Sequence, residues 1–224
     1  MNASKPLWHG LAKTWHLAAY LALTLGMAQV PSARAAELPV GPSLQKAVLF
    51  GQSVSMVAFR PPYCQLRAIL LVMAAKDRDS WAYRNDSIPL SRAVCGIIFS
   101  PNLPEKEFPT WQYQRGGFPI RNNELPAASL IKPMEQWAWQ ETGLPQLPII
   151  LIGHSAGAQF LDRVAASAPA AEAEVILMNL ATYAEPDTDS PVPLGLHGSP
   201  EPIHQTHLTH LPSAHMTLLP GSDH

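Results

Sequence analysis

The sequence predicts an α/β fold, a mostly parallel sheet with helices on both faces, and three observations carry that prediction. Short, uninterrupted apolar runs recur at Ala68 to Met73, Gly96 to Phe99 and Ile149 to Ile152, the signature of strands covered on both sides. Segments with helical spacing alternate with these runs, as they do where parallel strands are joined by crossover helices. The run Ile149 to Ile152 leads into Gly153-His154-Ser155-Ala156-Gly157 and then into the helical pattern Ala158 to Ala166, which spells strand, sharp turn, helix.

Taken in order, the chain begins with Lys5 and Lys13, an apolar stretch from Leu17 to Val30, and small residues around Arg34. That pattern predicts an export signal at 1–35, cleaved after Ala35, with 36–224 as a single domain that is periplasmic or extracellular. The apolar run is too short for a membrane span, so none is expected in the mature chain. Glu37 to Gln45 reads as an extended arm, and Ala47 to Phe50 with Val54 to Phe59 as an antiparallel pair. Arg60-Pro61-Pro62-Tyr63 breaks the pattern before the strand Ala68 to Met73. The turn Ala74 to Asp79 leaves the carboxyl end of that strand, where ligands gather in open α/β sheets.

Trp81 to Val94 predicts two short helical pieces around Pro89, and Cys95 to Ser100 the next buried strand. Pro101 to Arg121 reads as a loop, whose Phe108, Trp111, Tyr113 and Phe118 either wall a pocket or anchor the loop to the body. Ser129 to Thr142 predicts a helix that tolerates Pro133 in its first turn and stops at Gly143. Glu174 to Leu180 is a further strand, Ala184 to Pro193 a loop carrying Asp187 and Asp189, and Met216 to Leu219 the last strand.

Composition narrows the partners. Fifteen Lys and Arg against 17 Asp and Glu leave a net charge of −2, which argues against nucleic acid. Cys64 and Cys95 each precede an apolar strand; if those strands are parallel neighbours, the thiols share one end of the sheet and form either a disulfide or two buried free thiols. His204, His207 and His210 are spaced by three, with His197, His215 and His224 near in sequence. No carboxylate or cysteine set completes a ligand pattern there, so no metal is expected.

A serine at the centre of a Gly-x-Ser-x-Gly turn has strained torsions that lift its hydroxyl clear of the sheet, which makes Ser155 the candidate nucleophile. His154, fixed in the same turn, is expected to point away from it by strand alternation.

These residues, together with Arg78-Asp79-Ser80-Trp81-Ala82-Tyr83-Arg84, Ser100-Pro101-Asn102 and Phe108-Pro109, resemble the α/β-hydrolase superfamily, and within it exported polyhydroxybutyrate-depolymerase-like and lipase-like esterases. Weaker likeness lies in Pro193-Leu194-Gly195-Leu196 with Gly198 and Pro200, and the resemblance runs from about Val54 to the end. It implies a serine hydrolase acting on a small-molecule or polymeric ester, with neither metal nor organic cofactor.

The resemblance also implies an oxyanion site from the Ala156 amide and the turn after the third strand, where Ala74-Ala75 stands in place of the group's usual His-Gly. It places the acid after the strand Met216 to Leu219, at Asp223, and the histidine a strand and loop later, where only His224 remains. The expectation is therefore an α/β-hydrolase-type sheet that is incomplete at its carboxyl end, lacking the last strand and helix. Asp187 or Asp189 with His224 is the other arrangement of acid and base. The rival to an esterase is a catalytically impaired member that binds a ligand in the same cleft.

Overall fold

A computed structural model describes residues 38–167, 174–185, 187–197 and 216–221. The chain opens with β1 (Gly41–Leu49) and β2 (Gln52–Arg60), paired antiparallel from Gly41 opposite Arg60 to Leu49 opposite Gln52. Phe50 and Gly51 close the hairpin with φ of 48° and 80°, both positive as a two-residue turn requires. Gly41 to Gln45, expected as an arm, is strand. It lies on the sheet's outer edge, where Pro42 is tolerated because no neighbour needs its missing N–H.

Next come β3 (Ala68–Met73), α1 (Ser80–Asp86), α2 (Ile88–Val94), β4 (Gly96–Pro101) and the single turn α3 (Thr110–Tyr113). A 3-10 turn at Ala127–Leu130 leads into α4 (Ile131–Thr142), then β5 (Ile149–His154), α5 (Ala156–Ser167), β6 (Glu174–Met178) and β7 (Met216–Leu219). The two helical pieces expected around Pro89 are α1 and α2, with the proline in the first turn of α2. Asp79 caps α1 by accepting the Ala82 N–H at 2.9 Å. Pro133 falls in the first turn of α4, where its missing N–H would have had no helical partner, and Gly143 ends the helix in the left-handed region at φ 66°.

The sheet order is β1-β2-β4-β3-β5-β6-β7, with β4, β3, β5, β6 and β7 parallel and β2 antiparallel to both its neighbours. This is the α/β sheet the apolar runs predict. Alternation along β3 explains why its run is unbroken. Ile69, Leu71 and Met73 enter one core with Phe99, Met134, Phe160 and Leu161, while Ala68, Leu70 and Val72 enter a second with Phe59, Ile98 and Ile152. α4 and α5 cover the first face; Tyr83 of α1 with Ile88 and Val94 of α2 pack on the second. Among the described residues β7 is the outer strand, with Leu218 and Leu219 about half accessible.

The chain goes from β3 to β4 on one side and later to β5 on the other, so the connections diverge above the carboxyl ends of β3 and β5. Such a switch point opens a crevice in parallel sheets. Met73 is paired with Gly153, so both strands end at the same level and Ala74-Ala75 starts alongside the turn that carries Ser155.

α5 also fixes the segment after β6. Its buried Arg163 donates to the Thr182 carbonyl at 2.7 Å and hydroxyl at 3.0 Å, and Asp162 accepts the Ala184 N–H at 2.6 Å and an Arg163 N–H at 3.2 Å. Burial raises the Asp162 carboxyl from 3.8 to about 6, against the opposing pull of the Ala184 amide and Arg163. The native state thus binds the Asp162 proton more tightly than the unfolded chain does. Its stabilising effect is full below about pH 4 and is lost as pH rises through about 6, an effect on the order of 1–3 kcal/mol. Urea unfolding at pH 4 and pH 7 checks this: the wild type should lose more stability than Asp162→Asn on going to pH 7, and equal losses would contradict it.

Candidate active site

Ser155 has φ 51°, the left-handed region, between the end of β5 and the first residue of α5. For a residue with a side chain that conformation costs about 1–3 kcal/mol and persists only where its surroundings impose it. Here they do. The Ser155 N–H donates to the Met178 carbonyl at the end of β6 at 2.9 Å, and its carbonyl accepts the first helical bond of α5, from the Gln159 N–H, at 2.9 Å. The flanking glycines are needed for space: a Cβ on Gly153 would come within 2.5 Å of the Gly157 carbonyl oxygen, and one on Gly157 would run into the Met73 carbonyl. The buried Ala156 opens α5, so its N–H has no partner within the helix and stands at the positive end of the helix dipole.

The β3 turn is held from below. The buried Tyr113 hydroxyl donates to the Ala74 carbonyl at 2.6 Å, and burial pushes that phenol far above its ordinary value, keeping it a neutral donor. Its ring stacks on Phe160 at 5.3 Å and 10°, while the Arg78 guanidinium lies 3.7 Å over the ring centroid and donates to the Phe108 carbonyl at 3.2 Å. Burial lowers the Arg78 pKa; Tyr113, Glu105 and Asp77 oppose that shift.

Because the peptide is planar and trans, drawing the Ala74 carbonyl toward Tyr113 turns the Ala75 N–H to the opposite side. On that second face the Tyr83 hydroxyl bonds the His154 Nδ1 at 2.7 Å. Burial, the largest cause, and the nearby Asp77 raise the Tyr83 phenol; the Ala75 amide pulls the other way. Val72, Met73, Tyr83, Asp86, Ser87, Ile152, His154 and Met178 line a depression on that face of the sheet. His154 belongs to this second face, as strand alternation predicts, and not to the hydroxyl of its neighbour.

Among the described residues no histidine or carboxylate hydrogen-bonds Ser155. Asp223, His224, His204, His207, His210 and His215 lie outside the described residues. Asp187 accepts from the Ser190 hydroxyl at 2.5 Å and from the Asp189 and Ser190 amides at 2.8 and 3.1 Å, which hold its carboxyl below the usual range and commit it to its own loop. His197 is exposed, and its backbone bonds to Ser190 and Val192. No group of three or more His, Cys, Asp or Glu among the described residues is placed to hold a metal ion. Nor, among them, is any helix long and apolar enough to cross a membrane.

Of the loop aromatics, Phe108, Tyr113 and Phe118 are buried in the core and Trp111 is half-buried under Arg121, so they anchor the loop. Sequence reasoning missed Arg78, Tyr83 and Tyr113 as supports of the site. Their partners lie 30, 71 and 39 positions away, beyond any local pattern.

Three substitutions test the turn. Ser155→Gly should stabilise the fold by about 1 kcal/mol, whereas Ser155→Ala, which keeps the strained torsions, should not. Gly157→Ala should cost about 1–3 kcal/mol because the obstructing atoms are backbone. Chemical denaturation reads all three.

No family model matches the sequence, and no curated protein matches it. Solved structures do. Poly(aspartic acid) hydrolase-1 from Sphingomonas sp. KT-1 is 24% identical with a TM-score of 0.74, over 83% of this chain and 73% of its own. The poly(3-hydroxybutyrate) depolymerase from Bordetella parapertussis is 23% identical with a TM-score of 0.70, over 83% of this chain and 67% of its own. The sheet order, the switch point between β3 and β5 and these two likenesses show that the chain has the α/β-hydrolase fold.

Proposed function

We propose that the chain is a serine hydrolase that cleaves carboxylic esters through an acyl-enzyme on Ser155. The observation that carries the proposal is the left-handed Ser155 on a strand-to-helix turn that two glycines make sterically possible. In this reading the Ser155 hydroxyl attacks the ester carbonyl, and the developing oxyanion is met by the Ala156 amide and an amide of the Ala74-Ala75 turn. His224 takes the serine proton and returns it to the leaving alcohol, with Asp223 orienting the imidazole. Water then releases the acyl group by the same steps, and no metal or organic cofactor takes part.

The substrate is a small or polymeric ester reached outside the cytoplasm after removal of residues 1–35. Poly(3-hydroxybutyrate), named for one of the two similar structures, is a polyester and supports that choice; poly(aspartic acid), named for the other, is joined by amides and supports acyl transfer more broadly. The Ala74-Ala75 turn, where the resembled group has His-Gly, favours a second reading in which the cleft binds a ligand without turning it over.

A fluorophosphonate probe separates the two. Folded protein should be labelled on Ser155 and Ser155→Ala should not, with turnover of p-nitrophenyl esters falling at least about 10⁴-fold in the variant. Folded protein that takes up no probe and hydrolyses no ester would leave the binding reading.

A further inference from the structure

Cys64 and Cys95 precede β3 and β4, at the end of the parallel strands opposite the one that carries Ser155. β3 and β4 are parallel neighbours with Ala68 opposite Gly96, so the residues leading into both strands enter from one end. The Arg67 N–H donates to the Cys95 carbonyl at 2.9 Å and carries the pairing one step beyond the ladder. Just upstream, Tyr63 is left-handed at φ 61° in an exposed turn, so the chain reverses immediately before Cys64.

Cys95 closes α2 with φ 53° and ψ 41°, the left-handed cap position that glycine fills at least cost. The pairing that sets Arg67 against Cys95 brings Cys64, three residues upstream, to the same junction, and Cys95 is the first cause of the upward shift at the Cys64 thiol. Both residues are half-buried, open enough for an exchange reagent.

We infer that Cys64 and Cys95 form a redox pair that closes into an intramolecular disulfide, stapling the segment before β3 to the α2–β4 junction. The oxidant is a disulfide-bearing compound, a small molecule such as oxidised glutathione or a protein disulfide. One Cys thiolate attacks a sulfur of that disulfide and expels a thiolate, leaving a mixed disulfide. The second cysteine, after losing its proton to water, attacks the protein sulfur of that bond and expels the other thiolate. Two electrons pass to the oxidant and two protons to solvent. Exchange runs through the thiolate, and Cys95 beside it, with burial, raises the Cys64 pKa, so attack by Cys64 quickens in alkali. Closing a loop of about 30 residues restricts the unfolded chain, and the oxidised form should melt about 5–10 °C higher than the reduced one.

The test uses full-length chain incubated with oxidised glutathione, denatured in an alkylating agent and weighed intact. The expected product is a monomer two hydrogens lighter with no alkylated sulfur, which takes two alkyl groups once reduced. Cys64→Ser and Cys95→Ser should each instead retain one glutathione. Two alkylated sulfurs after oxidation, stable double glutathione adducts, or disulfide-linked dimers on a non-reducing gel would each overturn the pairing. An unchanged Tm on closure would overturn the staple. Because the pair sits at the opposite end of the parallel strands from Ser155, none of these results bears on the serine hydrolase reading.

Discussion

The contact on which the rest of the site depends is the approach of the first turn of α5 to the carboxyl end of β3. Gly157 lies against the Met73 and Ala74 carbonyls with no room for a side chain. That closeness brings Phe160 beneath Tyr113 and lets the Tyr113 hydroxyl reach the Ala74 carbonyl. A helix set one methyl group farther out would lose packing against the sheet and the support of the β3 turn together. The left-handed serine is a product of this geometry: the chain must reverse within one residue to place a helix so near the strand it has just left.

Three buried arginines surround the same end of the sheet, and each serves backbone. Arg78 donates to the Phe108 carbonyl, Arg84 to the Ala58 carbonyl and Arg163 to the Thr182 carbonyl. Desolvation lowers the pKa of all three. Ring faces supplement the support, Tyr113 for Arg78 and Trp81 for Arg84. A guanidinium suits this work because one planar group can bind a carbonyl at its edge and an aromatic ring on its face. The loop carbonyls of Phe108 and Thr182 and the β2 carbonyl of Ala58 are thereby held at fixed points.

What could be read in the sequence was what is local. The runs Ala68 to Met73 and Ile149 to Ile152 name their strands because both faces of each are covered, and Pro133 and Gly143 bracket their helix by chemistry confined to one turn. Ser155 was legible for the same reason, since its glycines are its immediate neighbours. Gly41 to Gln45 was not: an edge strand with a proline and one solvated face lacks the pattern that marks an interior strand. The loop aromatics stayed ambiguous because a ring that walls a pocket and one that anchors a loop are the same residue until the body beneath it is known. The supports of the β3 turn were invisible, as nothing near Tyr113 in sequence mentions Ala74.

The pairing of Met73 with Gly153 has a bearing on precision. β5 is fixed to β3 by a ladder whose smallest error is a whole residue, about 3.3 Å along the strand and a reversal of every side chain. Such a slip would drive Ile150 and Ile152 into the opposite core, so no intermediate misplacement is available to the folded chain. The relative height of Ser155 and Ala74-Ala75 is thus quantised by the sheet. Fine adjustment is left to the turns above it, where a single hydroxyl or amide can shift by fractions of an ångström without disturbing the frame.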